Sequence, residues 1–258
     1  MKRLAVALML GAVCIQPVAA RAADWPTRPI RIIAPSTPGG AADMFARLLC
    51  EQFSETLHER CFVENRAGAG GLIGTAATAQ AAPDGYTLTT SSTAYHVIAP
   101  VVNPNPGFDP LKDFTHIAYV GGPPNVFVVN PALGVRSLAD LVALGRRGQA
   151  IDYVSPGSGT LGQLLAEFPD LPTFKDLGYD DLTAVSWFAL SGPAGLPKDI
   201  TQRLNATVAT MLERPEVRKR LERDSIETRA MTSEEFTQFV AGEIAKWTPV
   251  ARRVMQAN

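Results

Sequence analysis

Three short loops carry residue types that can hold a small anion. The first runs from Ser36 to Asp43, the second from Ser91 to Thr93 and the third from Ser155 to Thr160. Each joins the end of a predicted strand to the start of a predicted helix, where unpaired backbone N–H groups and a partial positive charge favour a carboxylate. We expect an anion site built from backbone and hydroxyl groups rather than from Arg or Lys. Plain turn and helix-cap chemistry is the alternative for each loop.

Two side chains beside these loops are open to more than one interpretation. Asp43 would repel an anionic ligand, so we expect it either to shape the start of its helix or to accept a hydrogen bond from an amino group or water. His96 follows the second loop and has the chemistry of a general base. A surface or helix-capping position is the favoured interpretation of His96.

Patterns for catalysis, cofactors and metals do not emerge from the sequence. The three histidines, His58, His96 and His116, lack metal-ligand spacing. No serine lies in a Gly-x-Ser-x-Gly elbow, and no phosphate loop ends in Gly-Lys-Ser/Thr. We therefore predict a protein that is not an enzyme, with no cofactor and no metal. A periplasmic hydrolase is the least favoured alternative.

The overall composition is that of a globular protein. The chain has 258 residues, 46% of them hydrophobic, and a formal net charge of -1. Its Lys and Arg residues are scattered rather than clustered, which argues against a nucleic-acid partner.

The first 22 residues read as a secretory signal peptide. A basic start at Lys2 and Arg3 precedes an apolar run, and Ala20-Arg21-Ala22 is a cleavage motif. The run is too short to span a bilayer, so we expect a periplasmic protein without direct membrane insertion; an uncleaved anchor is the alternative. In that compartment Cys50 and Cys61 can form a disulfide or remain two buried thiols.

Strands and helices are predicted to alternate, which favours an α/β fold with mostly parallel sheets. The predicted strands cover residues 30–34, 61–64, 86–90, 115–120, 126–130, 151–154 and 185–190, with a short one near 226–228. The predicted helices cover about residues 42–57, 72–80, 137–147 and 157–165, a pair broken at Pro215, and a terminal helix that ends near residue 254.

Several motifs in this order resemble the Bug family, the extracytoplasmic solute receptors of tripartite tricarboxylate transporters. They are Ile32-Ile33-Ala34-Pro35, Pro38-Gly39-Gly40-Ala41-Ala42-Asp43, Val63-Glu64-Asn65-Arg66-Ala67-Gly68-Ala69-Gly70-Gly71, Ala82-Pro83-Asp84-Gly85-Tyr86-Thr87-Leu88, Ser155-Pro156-Gly157-Ser158-Gly159-Thr160 and Pro193-Ala194-Gly195-Leu196-Pro197. The resemblance covers nearly the whole chain after the leader.

The resemblance implies a periplasmic binding protein type II-like fold, in which two α/β lobes are joined by two crossing strands with the ligand between them. Lobe 1 would comprise residues 23–118 and 190–258, and lobe 2 residues 119–189. The ligand would be a small carboxylic acid, and the partners would be the membrane permease subunits of the transporter. The ligand-binding residues carried over from the resemblance are Ser36, Thr37, Gly39, Gly40, Asp43, Ser91, Ser92, Thr93, Ser155, Gly157, Ser158, Gly159 and Thr160.

The sequence departs from the family between Glu167 and Phe168. Roughly two strand–helix units of the second lobe, on the order of 60 residues, are absent there. We therefore expect a complete first lobe and a truncated second lobe. The predicted function is a receptor for a di-/tricarboxylate or related acid. The alternatives are a degenerate receptor without transport function and a periplasmic sensor or interaction module.

Overall fold

The computed structural model describes residues 25–123, 129–148 and 186–256, and its elements confirm an α/β fold. The strands are β1 Ile30–Ala34, β2 Cys61–Asn65, β3 Thr87–Ser92, β4 Phe114–Gly121 and β5 Phe188–Pro193. The helices are α1 Ala41–Leu57, α2 Leu72–Ala79, α3 Ala99–Val102, α4 Leu138–Arg146, α5 Lys198–Glu213, α6 Pro215–Arg223 and α7 Ser233–Gln256. Short 3-10 turns lie at Ala69–Gly71 and Pro131–Leu133, and a π-helical turn covers Thr93–Ile98.

The described strands form one sheet in the order β2-β1-β3-β5-β4. β1 pairs in parallel with β2 and β3, whereas β5 runs antiparallel to both β3 and β4. The prediction of a mostly parallel sheet therefore holds for every described strand except β5. β4 and β5 lie side by side, with Gly121 opposite Phe188. The chain thus leaves the sheet after β4 and returns to it beside the point of departure.

Helices cover both faces of the sheet and enclose its apolar strands. On one face α1 packs over β1 and β3 while α5 packs over β4, and Phe45 of α1 stacks on Phe188 of β5 with ring centroids 4.7 Å apart. On the other face Phe236 of α7 packs edge-on against Trp187, with ring centroids 5.7 Å apart. Burial on both sides explains why β1 has a nearly continuous apolar sequence.

Hydrogen-bonding side chains mark the starts of two helices. The Ser137 hydroxyl accepts the Asp140 N–H at 3.1 Å at the start of α4. Before α7, Thr232 and Glu235 form the reciprocal bonds of a capping box, at 2.8 and 3.1 Å. Pro215 separates α5 from α6, because a proline ring favours the first helical position and disrupts a helix interior.

Three strand predictions need correction. β3 continues through Ser91 and Ser92 because β5, distant in sequence, pairs with both residues. β5 begins at Phe188, later than predicted, and the predicted strand near 226–228 is a single bridge between Gly122 and Glu227. The predicted leader, residues 1–22, and the predicted strand at 151–154 lie outside the described residues, as does most of the predicted strand at 126–130.

Cys50 of α1 and Cys61 of β2 are joined by a disulfide, which is the bridged alternative of the two considered. The bond ties β2, an edge strand of the described sheet, to α1, the helix that covers it. Within the described ranges, no helix has both the length and the apolar character needed to cross a bilayer.

Candidate functional site

The first predicted loop, between β1 and α1, is organised around the carboxylate of Asp43. Asp43 Oδ2 accepts the Gly39 backbone N–H and the Arg47 Nε–H, both at 2.9 Å. Asp43 Oδ1 accepts from Asn65 Nδ2 at 2.9 Å, and the same amide nitrogen donates to Ser36 O at 3.2 Å. Asp43 therefore shapes the start of its helix, in agreement with the first of the two interpretations.

The network keeps Asp43 ionised although its side chain is buried. Burial raises the pKa of the carboxyl, but the hydrogen bonds from Arg47, Gly39 and Asn65 and the charge of Arg47 outweigh it, so the pKa lies below its ordinary value. Because Asp43 is occupied by these donors, its charge is balanced within the loop and does not face the space beyond it.

The start of α1 offers backbone donors to an anion. Gly40 precedes the first turn with extended backbone angles and makes no side-chain cap, and its own N–H bonds to Thr37 O at 3.2 Å. The first N–H groups of a helix have no acceptor within the helix, and the helix dipole adds positive potential. Gly39 adopts a φ of 83°, which glycine tolerates best. A carboxylate can be held here without a cationic side chain.

Ser92 and Thr93 of the second predicted loop face different partners. The Ser92 hydroxyl accepts the Tyr95 N–H at 3.3 Å and so caps the π-helical turn. The Thr93 hydroxyl accepts the Trp187 N–H at 3.3 Å, just before β5 begins. This loop is therefore attached to the point where the chain re-enters the sheet.

The assignment of Ser91 to a loop is wrong, because Ser91 belongs to a strand. Its side chain does not share a surface with Ser92 and Thr93. It is fully buried inside β3, and its hydroxyl lies 2.9 Å from that of Ser191. Ser191 Oγ in turn lies 3.0 Å from His116 Nδ1, and His116 Nε2 lies 3.0 Å from Pro110 O. A carbonyl only accepts, so neutral His116 carries its proton on Nε2, and Ser191 Oγ lies between His116 Nδ1 and the Ser91 hydroxyl. Ser91 thus stabilises the interior of the sheet.

His96 is not the surface or capping residue that we predicted. Its side chain is 0% exposed, and its ring packs edge-on against Phe114 at 4.7 Å and lies 5.9 Å from the ring of His116. Neither ring nitrogen has a hydrogen-bond partner among the described residues. Burial, with the neighbouring His116, lowers the pKa of His96 well below its ordinary value. The prediction failed because the π-helical turn, which directs His96 inward, has no signature in the sequence.

The structure brings the first two loops together at the edge where β1, β2 and β3 end. Two residues there were not predicted: Asn65, the last residue of β2, and Tyr95, whose ring lies against Gly71. The rule that ligands collect beyond the carboxyl ends of strands points to Asn65, whereas Tyr95 depends on the π-helical turn. The remaining predicted ligand residues, Ser155, Gly157, Ser158, Gly159 and Thr160, lie outside the described residues. Within the described residues, no group of three or more His, Cys, Asp or Glu side chains is arranged to hold a metal ion.

Solved structures share this fold over most of the chain. A protein described as a periplasmic transporter has a TM-score of 0.77 and 26% identity, covering 88% of this chain and 97% of its own. R. palustris Rpa4515 with adipate has the same TM-score and identity, covering 89% of this chain and 98% of its own. A further neighbour, the periplasmic binding protein BugD, has a TM-score of 0.72 at 22% identity. These similarities confirm the periplasmic-binding-protein fold.

The sequence comparisons agree with the structural ones, and they show where this chain lacks a segment that its relatives have. Protein BugT of Bordetella pertussis is 31% identical over 292 positions, which cover 88% of this chain and 90% of BugT. Since 88% of 258 residues is about 227, about 65 of those 292 positions have no counterpart in this chain, which confirms the predicted shortening. The model of the tripartite tricarboxylate transporter family receptor, TctC, matches in two segments, residues 45–168 and 162–255, which meet where the pattern was predicted to jump. The chain therefore belongs to the receptor family of tripartite tricarboxylate transporters.

Proposed function

We propose that the protein is an extracytoplasmic receptor that binds a small carboxylic acid at the edge where β1, β2 and β3 end. The observation that carries this proposal is the start of α1, which offers backbone donors while the neighbouring carboxylate, Asp43, is fully occupied by Gly39, Arg47 and Asn65. An anion is thus attracted without meeting an unbalanced negative charge.

A dicarboxylate is the favoured solute class. The structural neighbour Rpa4515 is described with adipate, and it is 26% identical to this chain. In this chain, Ser36 and Thr37 of the first loop and Ser92 and Thr93 of the second add neutral hydroxyl groups around the same edge. A hydroxyl group can hydrogen-bond to a carboxylate whether the solute carries two carboxylates or three. Tricarboxylates are therefore tested as well.

The second lobe would supply the opposite wall of the site. The pairing of β4 with β5, with Gly121 opposite Phe188, supports two crossing strands between the lobes, with lobe 1 at residues 23–118 and 190–258 and lobe 2 at 119–189. Ser155, Gly157, Ser158, Gly159 and Thr160 would form the anion loop of lobe 2. Closure of the two lobes over the solute would create the surface that the permease subunits recognise.

The proposed location is the periplasm, after removal of residues 1–22. The neighbour described as a periplasmic transporter supports this location. The family consists of receptors, and we propose that this member is likewise not an enzyme and needs no cofactor.

The shortened second lobe favours one alternative, a receptor-derived protein that no longer transports a solute. About 65 positions of BugT have no counterpart in this chain, and the missing units would belong to the proposed second lobe, the one that would close the site. In this alternative the intact first lobe would serve as a sensor or interaction module.

Thermal melting of the leader-free protein tests the proposal, with adipate, succinate and citrate as separate probes and adipamide as the uncharged control. An acid at about 100 times its dissociation constant adds roughly 2.7 kcal/mol to the stability of the folded state. At roughly 2–4 °C per kcal/mol, the midpoint should rise by about 5–11 °C with one of the acids and stay unchanged with adipamide. A cooperative melt that none of the acids moves would support the receptor-derived alternative.

A further inference from the structure

The Cys50–Cys61 disulfide and the hydrogen bond between Asn65 and Asp43 join the same two elements. Asp43 lies in the first turn of α1, and Cys50 follows about two turns later in the same helix. Cys61 begins β2 and Asn65 ends it. The disulfide joins Cys50 to Cys61, and Asn65 Nδ2 donates to Asp43 Oδ1 at 2.9 Å. One covalent bond and one hydrogen bond therefore close the helix and the strand into a ring.

The hydrogen-bonded side of this ring belongs to the proposed anion site. The Asp43 carboxylate accepts the Gly39 N–H at 2.9 Å, and Asn65 Nδ2 also donates to Ser36 O at 3.2 Å. Asn65 can make both of its bonds only while the end of β2 keeps its position beside the start of α1. The placement of β2 against α1 therefore affects the loop that would hold the solute.

The disulfide contributes directly to that placement. In the described sheet β2 is an edge strand, and it pairs with β1. The Ser54 hydroxyl of α1 accepts the Cys61 N–H at 3.0 Å, which holds the start of the strand by a hydrogen bond. The disulfide is the covalent link between the same two elements, so breaking it leaves β2 more freedom to shift relative to α1.

A surface cleft gives reagents access to the disulfide. The cleft has a volume of about 440 Å³, and both cysteines line it, together with Arg47 and the exposed ring of Phe62 among other residues. Cys50 is 6% exposed, whereas Cys61 is half-buried, so Cys61 is the more accessible of the two. Accessible disulfides are the ones that undergo exchange.

A dithiol that enters the cleft can open the bond by thiol–disulfide exchange. One thiolate of the dithiol attacks Cys61 Sγ, the bond between the two cysteines breaks, and Cys50 leaves as a thiolate that takes up a proton. The second thiol then attacks the donor's sulfur in the mixed disulfide and releases Cys61. The donor is oxidised to a disulfide, and Cys50 and Cys61 remain as thiols.

We propose that the Cys50–Cys61 disulfide is a thiol-exchange site that controls the affinity of the proposed solute site. This inference rests on the proposed function, because the affinity for the acid is the property that changes. With the bond closed, β2 holds Asn65 against Asp43. With the bond open, the loop before α1 is less firmly placed and binds the acid more weakly.

Titration calorimetry with adipate, succinate and citrate, before and after reduction with dithiothreitol, tests the inference on the leader-free protein. The Kd of the acid that binds should rise about fivefold or more on reduction, as is typical of coupled sites, and should recover on reoxidation. The double variant Cys50→Ala with Cys61→Ala should have the higher Kd throughout and should not respond to dithiothreitol. Gly195→Val is the control, because it loses stability with the disulfide intact and should keep the Kd of the oxidised protein.

A second readout separates control of affinity from a purely structural role. Coupling is reciprocal, so a saturating acid must make the disulfide harder to reduce by the same factor. In a buffer of reduced and oxidised dithiothreitol, the ratio of reduced to oxidised protein, measured by thiol labelling, should fall about fivefold when the acid is added. Without denaturant, the rate of reduction should rise in proportion to the dithiothreitol concentration, because the thiol reaches the bond in the folded protein.

Three outcomes would overturn the inference and leave the receptor function intact. The first is an unchanged Kd on reduction. The second is a rate of reduction that reaches a plateau, which would mean that the bond opens only after unfolding. The third is loss of the circular dichroism of the folded state on reduction, which would mean that the bond serves folding alone. If the oxidised protein binds none of the acids, both the function and this inference fall.

Discussion

The carboxylate of Asp43 accepts the backbone N–H of Gly39 at 2.9 Å, across four residues at the start of α1. The bond fixes the loop that ends β1, and it does not use the first N–H groups of the helix, which have no acceptor within the helix. The same oxygen accepts from Arg47, which lies one turn further along the helix. Asp43 is therefore compatible with a proposed anion site, because its negative charge is neutralised inside the loop.

Asp43→Asn should weaken both the fold and the binding of an acid. The substitution replaces a charged acceptor of three donors with a neutral amide, and the loss of such buried bonds costs about 1.5–3 kcal/mol. Urea unfolding measures the loss of stability, and calorimetry with adipate measures the loss of affinity. Asp199→Asn is the control, because Asp199 lies in the first turn of α5, where its carboxylate accepts the Ile200 N–H at 2.9 Å, away from the proposed site. Equal losses of affinity in both variants would contradict the assignment.

Gly39→Val should abolish binding because it changes the backbone and not because a side chain fills the site. Gly39 has a φ of 83°, and an added Cβ meets no atom within 4 Å. A β-branched residue there is strained by about 1–3 kcal/mol and should shift the loop away from its open arrangement. Gly195→Val is a closely matched control, because Gly195 has the same φ, the same free space and a place at the opposite edge of the sheet. Both variants should lose similar stability, and only Gly39→Val should lose affinity for adipate.

Reduction of the Cys50–Cys61 disulfide should destabilise the protein by about 2–3 kcal/mol. The bond closes a loop of 11 residues, and the estimate follows from the lost constraint on the unfolded chain. Urea unfolding with and without dithiothreitol measures the difference. The double variant Cys50→Ala with Cys61→Ala should already have the lower stability and should not respond to the reductant. A response of that variant would show that the reductant acts elsewhere.

Local sequence was sufficient for several of the described elements. The apolar run of β1, the capping box before α7 and the break at Pro215 each act through neighbouring residues, so their positions could be predicted. The loop from Ser36 to Asp43 was also located correctly, because its glycines and the helix that follows form one continuous pattern.

Long-range contacts account for what was missed. Ser91 was assigned to a loop because nothing near it in sequence announces the pairing with Ala189 that extends β3. His96 was assigned to the surface because a π-helical turn is stabilised by its packing on Phe114 rather than by a sequence signal. The partnership of Asn65 with Asp43 likewise joins residues 22 positions apart.

The stability of the protein should fall steeply on mild acidification because two imidazoles are buried in their neutral form. Burial lowers the pKa of His116 to about 4, against an ordinary value of 6.5, and the pKa of His96 is lowered as well. Between those two values the unfolded chain binds a proton that folded His116 does not, so folding loses free energy as the pH falls. The full contribution is present above pH 6.5, and its loss down to pH 4 amounts to about 3 kcal/mol for His116 alone.

Urea unfolding at pH 7.5, 6.0 and 5.0 measures this dependence, and His116→Gln should flatten it. Glutamine does not titrate in this range, so the part of the slope that belongs to His116 disappears, although the bonds to Ser191 and Pro110 are weakened at every pH. His58→Asn is the control, because His58 is exposed at the end of α1 and asparagine tolerates its positive φ of 59°. That variant should retain the slope of the unsubstituted protein. An unchanged slope in His116→Gln would assign the acid sensitivity to His96 or to groups outside this cluster.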